Sequence, residues 1–156
     1  MSNERLRFVI DASVGIKLFI DEPGSDAVHA LFAKLSGDPP IELYIPDLFY
    51  NECANLLLKY MIRYGRSLED SRADLADLSL LALKSVPTAS LLENALVFAS
   101  AKNLTAYEAC YAVLALKLEI PLITADQEVV KVVDGAIGLE EISSFILFSN
   151  SARGNK

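Results

Sequence analysis

Four carboxylate residues lie where the surrounding sequence is otherwise apolar. Asp11 directly follows a short apolar run, Asp126 follows another, and Glu52 and Glu108 occur in the early turns of two helical patterns. A carboxylate at the edge of an apolar element is costly unless a partner compensates, and a bound cation is a common one. Because the set contains no Cys or His, it favours a hard ion such as Mg²⁺ or Mn²⁺ over zinc.

Three of these acids also have an ordinary structural interpretation. Thr105 stands three residues before Glu108, which is the spacing of a capping box at a helix start. Asp126 can be the N-cap of the helix that follows it, and Glu52 falls at the border of an apolar helical stripe, where a solvated residue is common. Asp11 has the weakest structural alternative. The residues alone do not decide between these structural roles and metal binding.

The elements that must position the acids alternate between strands and helices. The predicted strands are Arg7–Ile10, Leu43–Ile45, Leu83–Val86, Pro121–Thr124 and Leu139–Ser143. The predicted helices are Val14–Ile20 with Ser13 as N-cap, Asp26–Leu35, Leu48–Tyr64, Leu68–Leu80 capped by Ser67, Ala89–Ala101, Thr105–Leu118 and Gln127–Val133. This alternation predicts a three-layer α/β/α fold with a central, mainly parallel sheet of four to five strands.

A parallel sheet would bring the acids together. In open α/β sheets the functional crevice lies beyond the carboxyl ends of the strands, and Asp11 and Asp126 both follow strands. Two carboxylates on one rim repel each other unless a cation or a proton intervenes. Glu52 and Glu108 come near the same rim if their helices follow the usual crossover geometry.

Length and composition predict one domain over residues 1–148, followed by a flexible polar tail over 149–156. No apolar run approaches the roughly 18 residues of a membrane helix, and no signal-peptide core precedes Asp11, so we expect a cytoplasmic protein without a membrane partner. The two cysteines lack zinc-site spacing. The net charge of −7 weighs against nucleic-acid binding through a general basic face, although an acid cluster holding divalent cations would attract phosphate.

Four segments together resemble a known family. VIDASV near the start, the turn DEPGS, YNECANLLL and LTAYEACYAVLALKLEIPLITAD resemble the PIN-domain ribonucleases, specifically the VapC-type toxins of bacterial and archaeal toxin–antitoxin pairs. The resemblance spans roughly residues 7 to 145. No segment is specific by itself, but the ordered set at these separations is.

The resemblance implies a metal-dependent endoribonuclease with a PIN-like fold, in which an acidic quartet binds Mg²⁺ or Mn²⁺. The catalytic and metal-binding residues carried over by position are Asp11, Glu52, Glu108 and Asp126, with hydroxyls of Ser13 and Thr124 lining the same pocket. Glu108 departs from the family pattern, which has aspartate there. The implied partners are an RNA substrate, a cognate antitoxin and a second copy of the chain in a homodimer.

Two other functions compete with this interpretation. A phosphoaspartyl phosphotransferase would use Asp11 as nucleophile, but Ser13 occupies the position where one such family has its second aspartate. No nucleotide-binding glycine motif is present. The non-enzymatic alternative is an inactive PIN-like module that binds RNA or a protein, and Glu108 is the residue that favours it. Lys17, Lys59, Arg63 and Arg66 are candidates for phosphate contacts or for plain surface roles.

Overall fold

The computed structural model describes residues 5–142 and 144, and the predicted tail over 149–156 lies outside them. Over that range the chain forms a five-stranded parallel sheet in the order β3-β2-β1-β4-β5. The strands are β1 (Arg7–Ile10), β2 (Glu42–Pro46), β3 (Lys84–Val86), β4 (Leu122–Thr124) and β5 (Ile137–Gly138). With helices packed around the sheet, the architecture is the predicted three-layer α/β/α arrangement.

The described part of the chain contains seven α-helices before β5 and a further helical stretch over residues 139–142. The seven are α1 (Ala12–Gly15), α2 (Ser25–Ala33), α3 (Leu48–Tyr64), α4 (Leu68–Leu80), α5 (Leu92–Lys102), α6 (Ala106–Leu118) and α7 (Gln127–Val132). The bounds of α3 agree with the prediction because Gly65, with φ of +68°, closes its last turn in the left-handed region. Short 3₁₀ turns extend α1 and α2 and precede α5.

The core lies between the sheet and its helices. Val9, Ile10, Leu43 and Ile45 of the two central strands are fully buried, as the apolar runs in their sequence require for strands covered on both faces. Helix α6 packs on β1 and β2, and its seven consecutive residues 109–115 are all buried. The helix that carries Glu108 is therefore fixed to the middle of the sheet.

Two local predictions were wrong. The predicted N-cap of α1, Ser13, is inside the helix, and Asp11 is the cap because its carboxylate accepts the N–H of Val14. The predicted last strand, Leu139–Ser143, is misplaced. The edge strand is β5, pairing two residues with β4, and residues 139–142 are helical, while residue 143 lies outside the described residues.

Within residues 5–142 and 144, no helix combines the length and the hydrophobicity that a membrane crossing needs.

Candidate active site

The strand order reverses direction between β1 and β4, which are neighbours in space but far apart in sequence. Connections from these two strands leave the sheet on opposite sides, so a crevice opens between them at their carboxyl ends. Asp11 is the first residue after β1, and Asp126 is the second after β4. The sheet topology therefore places both strand-end acids beside the crevice.

A groove of about 860 Å³ lies at this rim. All four of the predicted acids, Asp11, Glu52, Glu108 and Asp126, line it, and so does Ser13. Thr124 is fully buried just behind the groove. The structure thus brings the predicted residues to one cavity, two from strand ends and two from helices α3 and α6.

Asp11 is held by a network that joins β1 to β4. Its carboxylate accepts hydrogen bonds from the Val14 N–H, at 3.3 Å, and from the Ser13 and Thr124 hydroxyls. The Ser13 oxygen in turn accepts the N–H of Ala125 at 3.0 Å. Burial raises the pKa of Asp11 from 3.8 to about 6, against the lowering effect of these hydrogen bonds and with a further rise from the charge of Glu52.

Asp126 is placed by the turn from β4 into α7. Its N–H donates to the Thr124 hydroxyl oxygen at 3.0 Å, and its Oδ1 accepts the N–H of Glu128 at 2.9 Å. The predicted N-cap role is therefore present. Because Thr124 contacts both Asp11 and Asp126, one buried hydroxyl links the two aspartates.

Glu52 points from the second turn of α3 toward α6. The hydroxyl of Tyr111, a buried residue of α6, donates to Glu52 Oε1 at 2.6 Å. Burial raises the pKa of the Glu52 carboxyl, the Tyr111 hydrogen bond opposes that rise, and the nearby charge of Glu108 adds to it. Burial and the same hydrogen bond raise the pKa of the Tyr111 hydroxyl, so Tyr111 keeps its proton and donates a hydrogen bond to the carboxylate.

Glu108 forms the predicted capping box. Its Oε2 accepts the N–H of Thr105 at 2.9 Å, while its own N–H donates to the Thr105 hydroxyl at 3.1 Å. Glutamate suits this position because its extra methylene lets the side chain reach back one turn to the N-cap amide. The residue that departs from the family pattern therefore has a clear structural role in addition to lining the groove.

The donor chemistry of the groove fits a hard divalent cation, since all four candidate ligands are carboxylates. In the described part of the chain, however, no three Asp, Glu, His or Cys side chains come close enough to share one ion. Hydrogen bonds to Tyr111, Thr105 and the Glu128 amide explain this separation, because each holds one oxygen of Glu52, Glu108 or Asp126. The second oxygen of each carboxylate makes no hydrogen bond in the described structure.

Tyr111 is the site residue that the sequence pattern did not reveal. It lies in a long apolar run, where an aromatic side chain is expected to be plain core. Its position three residues after Glu108 places it on the same helical face as that acid, and this spacing is the signal that could have identified it. Asp47 and Thr88 were also missed. They join the start of α3 to the turn after β3 through an Asp47 Oδ1 to Thr88 N–H bond of 2.8 Å.

The four cationic candidates separate clearly. Lys17 is buried and paired with Glu22 at 2.8 Å, and Arg66 is paired with Asp74. Arg63 is exposed on α3 away from the groove lining, whereas Lys59 lines the groove. Lys59 is therefore the candidate placed to meet a substrate.

Comparison with protein families establishes the family to which this fold belongs. The PIN domain family matches residues 8–135, which is most of the chain and includes all four acids. The chain belongs to the PIN-domain family. Comparison with curated proteins finds no significant match.

Three solved structures match between 80% and 92% of this chain. PAE2754 from Pyrobaculum aerophilum is 25% identical, with a TM-score of 0.69 over 92% of this chain and 96% of that one. The Mycobacterium tuberculosis toxin VapC20, described as cleaving the sarcin-ricin loop, is 18% identical, with a TM-score of 0.59 over 80% and 93%. A toxin–antitoxin complex from Klebsiella pneumoniae is 17% identical, with a TM-score of 0.60 over 84% and 96%. The resemblance to PIN-domain proteins is thus confirmed, and the likeness to the two toxin structures shows a shared fold.

Proposed function

We propose that this PIN-domain protein is an endoribonuclease that depends on Mg²⁺ or Mn²⁺ and serves as the toxin of a type II toxin–antitoxin pair. The observation that carries the proposal is the gathering of Asp11, Glu52, Glu108 and Asp126 on one groove at the sheet's switch point. The likeness to VapC20, which is described as a toxin that cleaves the sarcin-ricin loop, supports RNA as the substrate.

The residues have distinct proposed roles in hydrolysis. Asp11 and Asp126 would hold the principal ion, because the Thr124 hydroxyl links them and the sheet fixes their backbones. A bound divalent ion supplies neutralisation of the developing phosphate charge and activation of a water molecule. Glu52, held by Tyr111, would complete the ligand set or act as a proton acceptor, and Glu108 would contribute a ligand if its hydrogen bond to the Thr105 N–H were released.

The antitoxin and the homodimer are part of the same proposal. The likeness to the Klebsiella pneumoniae toxin–antitoxin complex supports a cognate antitoxin as partner, and exposed apolar side chains on α3 and α5 support protein contacts. Ile62, Leu96 and Val97 are each more than 60% exposed. A cytoplasmic location is expected for such a pair. Size-exclusion chromatography that gives only the 17.0 kDa monomer at high protein concentration would contradict the homodimer.

Cleavage of purified cellular RNA with and without metal tests the proposal. We expect cleavage in Mg²⁺ or Mn²⁺, none in a chelator, and a loss of more than about 100-fold in Asp126→Asn, because even residues outside the ligand set often cost 10–100-fold. Asp134→Asn is the matched control, since Asp134 is an exposed aspartate just beyond α7 that does not line the groove. Cleavage by Asp126→Asn at the wild-type rate would contradict the assignment.

The second candidate is an inactive module that binds RNA or protein. The specific observation in its favour is the Glu108 capping box, which uses in a helix cap the residue that replaces the family's aspartate. This alternative predicts no metal-dependent cleavage by the wild type and a gain of cleavage on changing Glu108→Asp, because the replacement of aspartate is then the cause of inactivity. Cleavage that appears only in Glu108→Asp would support it.

A further inference from the structure

Among the residues that the structure describes, one cationic side chain lines the groove. Five acids line it, namely Asp11, Asp47, Glu52, Glu108 and Asp126, together with one basic residue, Lys59. The Lys59 side chain is exposed and makes no ion pair in the described structure. A nucleic-acid backbone that approaches five acids needs a compensating positive charge, and Lys59 can supply it.

Lys59 belongs to a polar face of α3. Asn51, Asn55 and Lys59 follow one another at intervals of four residues, so they line one side of the helix, and all three are exposed in the groove. Lys59 stands seven residues beyond Glu52, about 10 Å along the helix axis. The two amides between them can donate to and accept from sugar hydroxyls and base edges.

An aromatic ring faces the same groove from α6. Tyr107 lines it, is 64% exposed, and its hydroxyl makes no hydrogen bond among the described residues. A large aromatic side chain left open at the edge of a polar groove is the usual platform for an unpaired base. Tyr107 immediately precedes Glu108, so a stacked base would lie next to the acidic centre.

We propose that Asn51, Asn55, Lys59 and Tyr107 form a binding track for an unpaired RNA segment, with Lys59 on a phosphate and Tyr107 stacked on a base. This track rests on the proposed function, because the segment it holds is the substrate of the acidic site. An RNA strand fits the track because one strand offers a phosphate for Lys59, sugar and base edges for the exposed amides, and a base for the Tyr107 ring.

Salt-dependent binding of a fluorescent single-stranded RNA tests the Lys59 contact. Anisotropy is measured in Ca²⁺, with gels run on the same samples to verify that the RNA stays intact. We expect Lys59→Gln to reduce the slope of log K against log salt by about 0.7, the value for one phosphate contact to a single strand. Lys117→Gln, at an exposed lysine outside the groove lining, is the control and should keep the wild-type slope.

The stacking contact is tested with the same RNA. Tyr107→Ala should weaken binding about tenfold, and Tyr107→Phe should retain it because the ring remains. Tyr64→Ala is the control, since Tyr64 is 73% exposed but lies outside the groove lining. In a fully paired RNA duplex the Tyr107→Ala effect should disappear, since no base is free to stack.

Each contrary result overturns the track in a recognisable way. An unchanged salt slope in Lys59→Gln, or a wild-type protein that does not bind the RNA, contradicts it. Tyr107→Ala that changes the size-exclusion mass and leaves RNA affinity intact assigns the ring to a protein interface instead. The assay measures RNA binding and not cleavage, so it tests the track independently of the nuclease proposal. If the protein cleaves no RNA but the Lys59 and Tyr107 effects on binding remain, only the nuclease proposal fails.

Discussion

The two strand-end aspartates and the two helix-borne glutamates are held in different ways. Asp11 and Asp126 are fixed by backbone groups and by hydroxyls of neighbouring residues, so their positions follow from the sheet. Glu52 and Glu108 sit on helices and are each bound through one oxygen by a side chain or a cap. The first pair is placed by the fold, while the second pair is restrained by contacts that can be released.

This difference explains how four acids can line one groove despite the repulsion between their charges. Like charges at short range are unfavourable, and the structure limits that cost by hydrogen-bonding each carboxylate separately. Asp11 bears much of the remaining cost, because loss of solvation outweighs its hydrogen bonds and raises its pKa to about 6. The cost of ionisation therefore falls on Asp11 and also on Glu52, whose carboxyl pKa is likewise raised by burial.

The largest expected effect concerns Asp11. Its pKa is about 6 in the folded state against 3.8 ordinarily, so its ionisation destabilises the fold fully above pH 6 and ceases to do so below about 4. Asp11→Asn should raise the free energy of unfolding of the metal-free protein by about 1–3 kcal/mol at pH 7 and above. Chemical denaturation across pH 4 to 8 measures the difference between the two proteins. A gap that does not shrink as the pH falls from 6 to 4 would be inconsistent with a strained aspartate.

A smaller effect is expected at Tyr111. Removing its hydroxyl in Tyr111→Phe leaves the half-buried Glu52 carboxylate without its donor, and we expect a loss of about 1–2 kcal/mol in unfolding free energy. Tyr107→Phe is the matched control on the same helix, because the Tyr107 hydroxyl makes no hydrogen bond in the described structure. Equal stability of the two variants would refute the claim that Tyr111 restrains Glu52.

The smallest effects concern the α6 cap. Thr105→Ala should cost about 1 kcal/mol, since it removes the side-chain acceptor at the N-cap. Glu108→Gln should change the stability by only a few tenths of a kcal/mol, because an amide oxygen can still accept the Thr105 N–H. Thermal unfolding of both variants without metal makes the comparison. A large loss in Glu108→Gln would mean that the negative charge itself stabilises the helix start.

The fold was readable from the sequence where local and global signals agree. Helix α3 was predicted over its full length because an apolar stripe ends at Gly65. The last strand failed because β5 is only two residues long and its pairing with β4 leaves no alternating pattern to detect. Ser13 was wrongly predicted as the N-cap because Asp11 and Ser13, two residues apart, can both cap a helix. Only the folded chain shows that the Ser13 hydroxyl accepts the Ala125 N–H, while Asp11 caps the helix.

The site was only partly readable. The four acids could be named because carboxylates interrupt apolar patterns, but their restraints depend on contacts that are distant in sequence. Glu52 and Tyr111 are 59 residues apart. Lys17 is paired with Glu22, which also accepts a hydrogen bond from the Tyr60 hydroxyl at 2.6 Å. The sequence alone could not show that Lys17 is paired in this way and is therefore not available to a substrate.

Calorimetric titration with Mn²⁺ tests the central claim most directly, namely that Asp11 and Asp126 hold the principal ion. The wild type should bind, Asp11→Asn and Asp126→Asn should each lose binding, and Glu108→Gln should retain it with reduced affinity. A wild type that takes up no Mn²⁺ at millimolar concentration, or an Asp11→Asn variant that binds as the wild type does, would contradict the account.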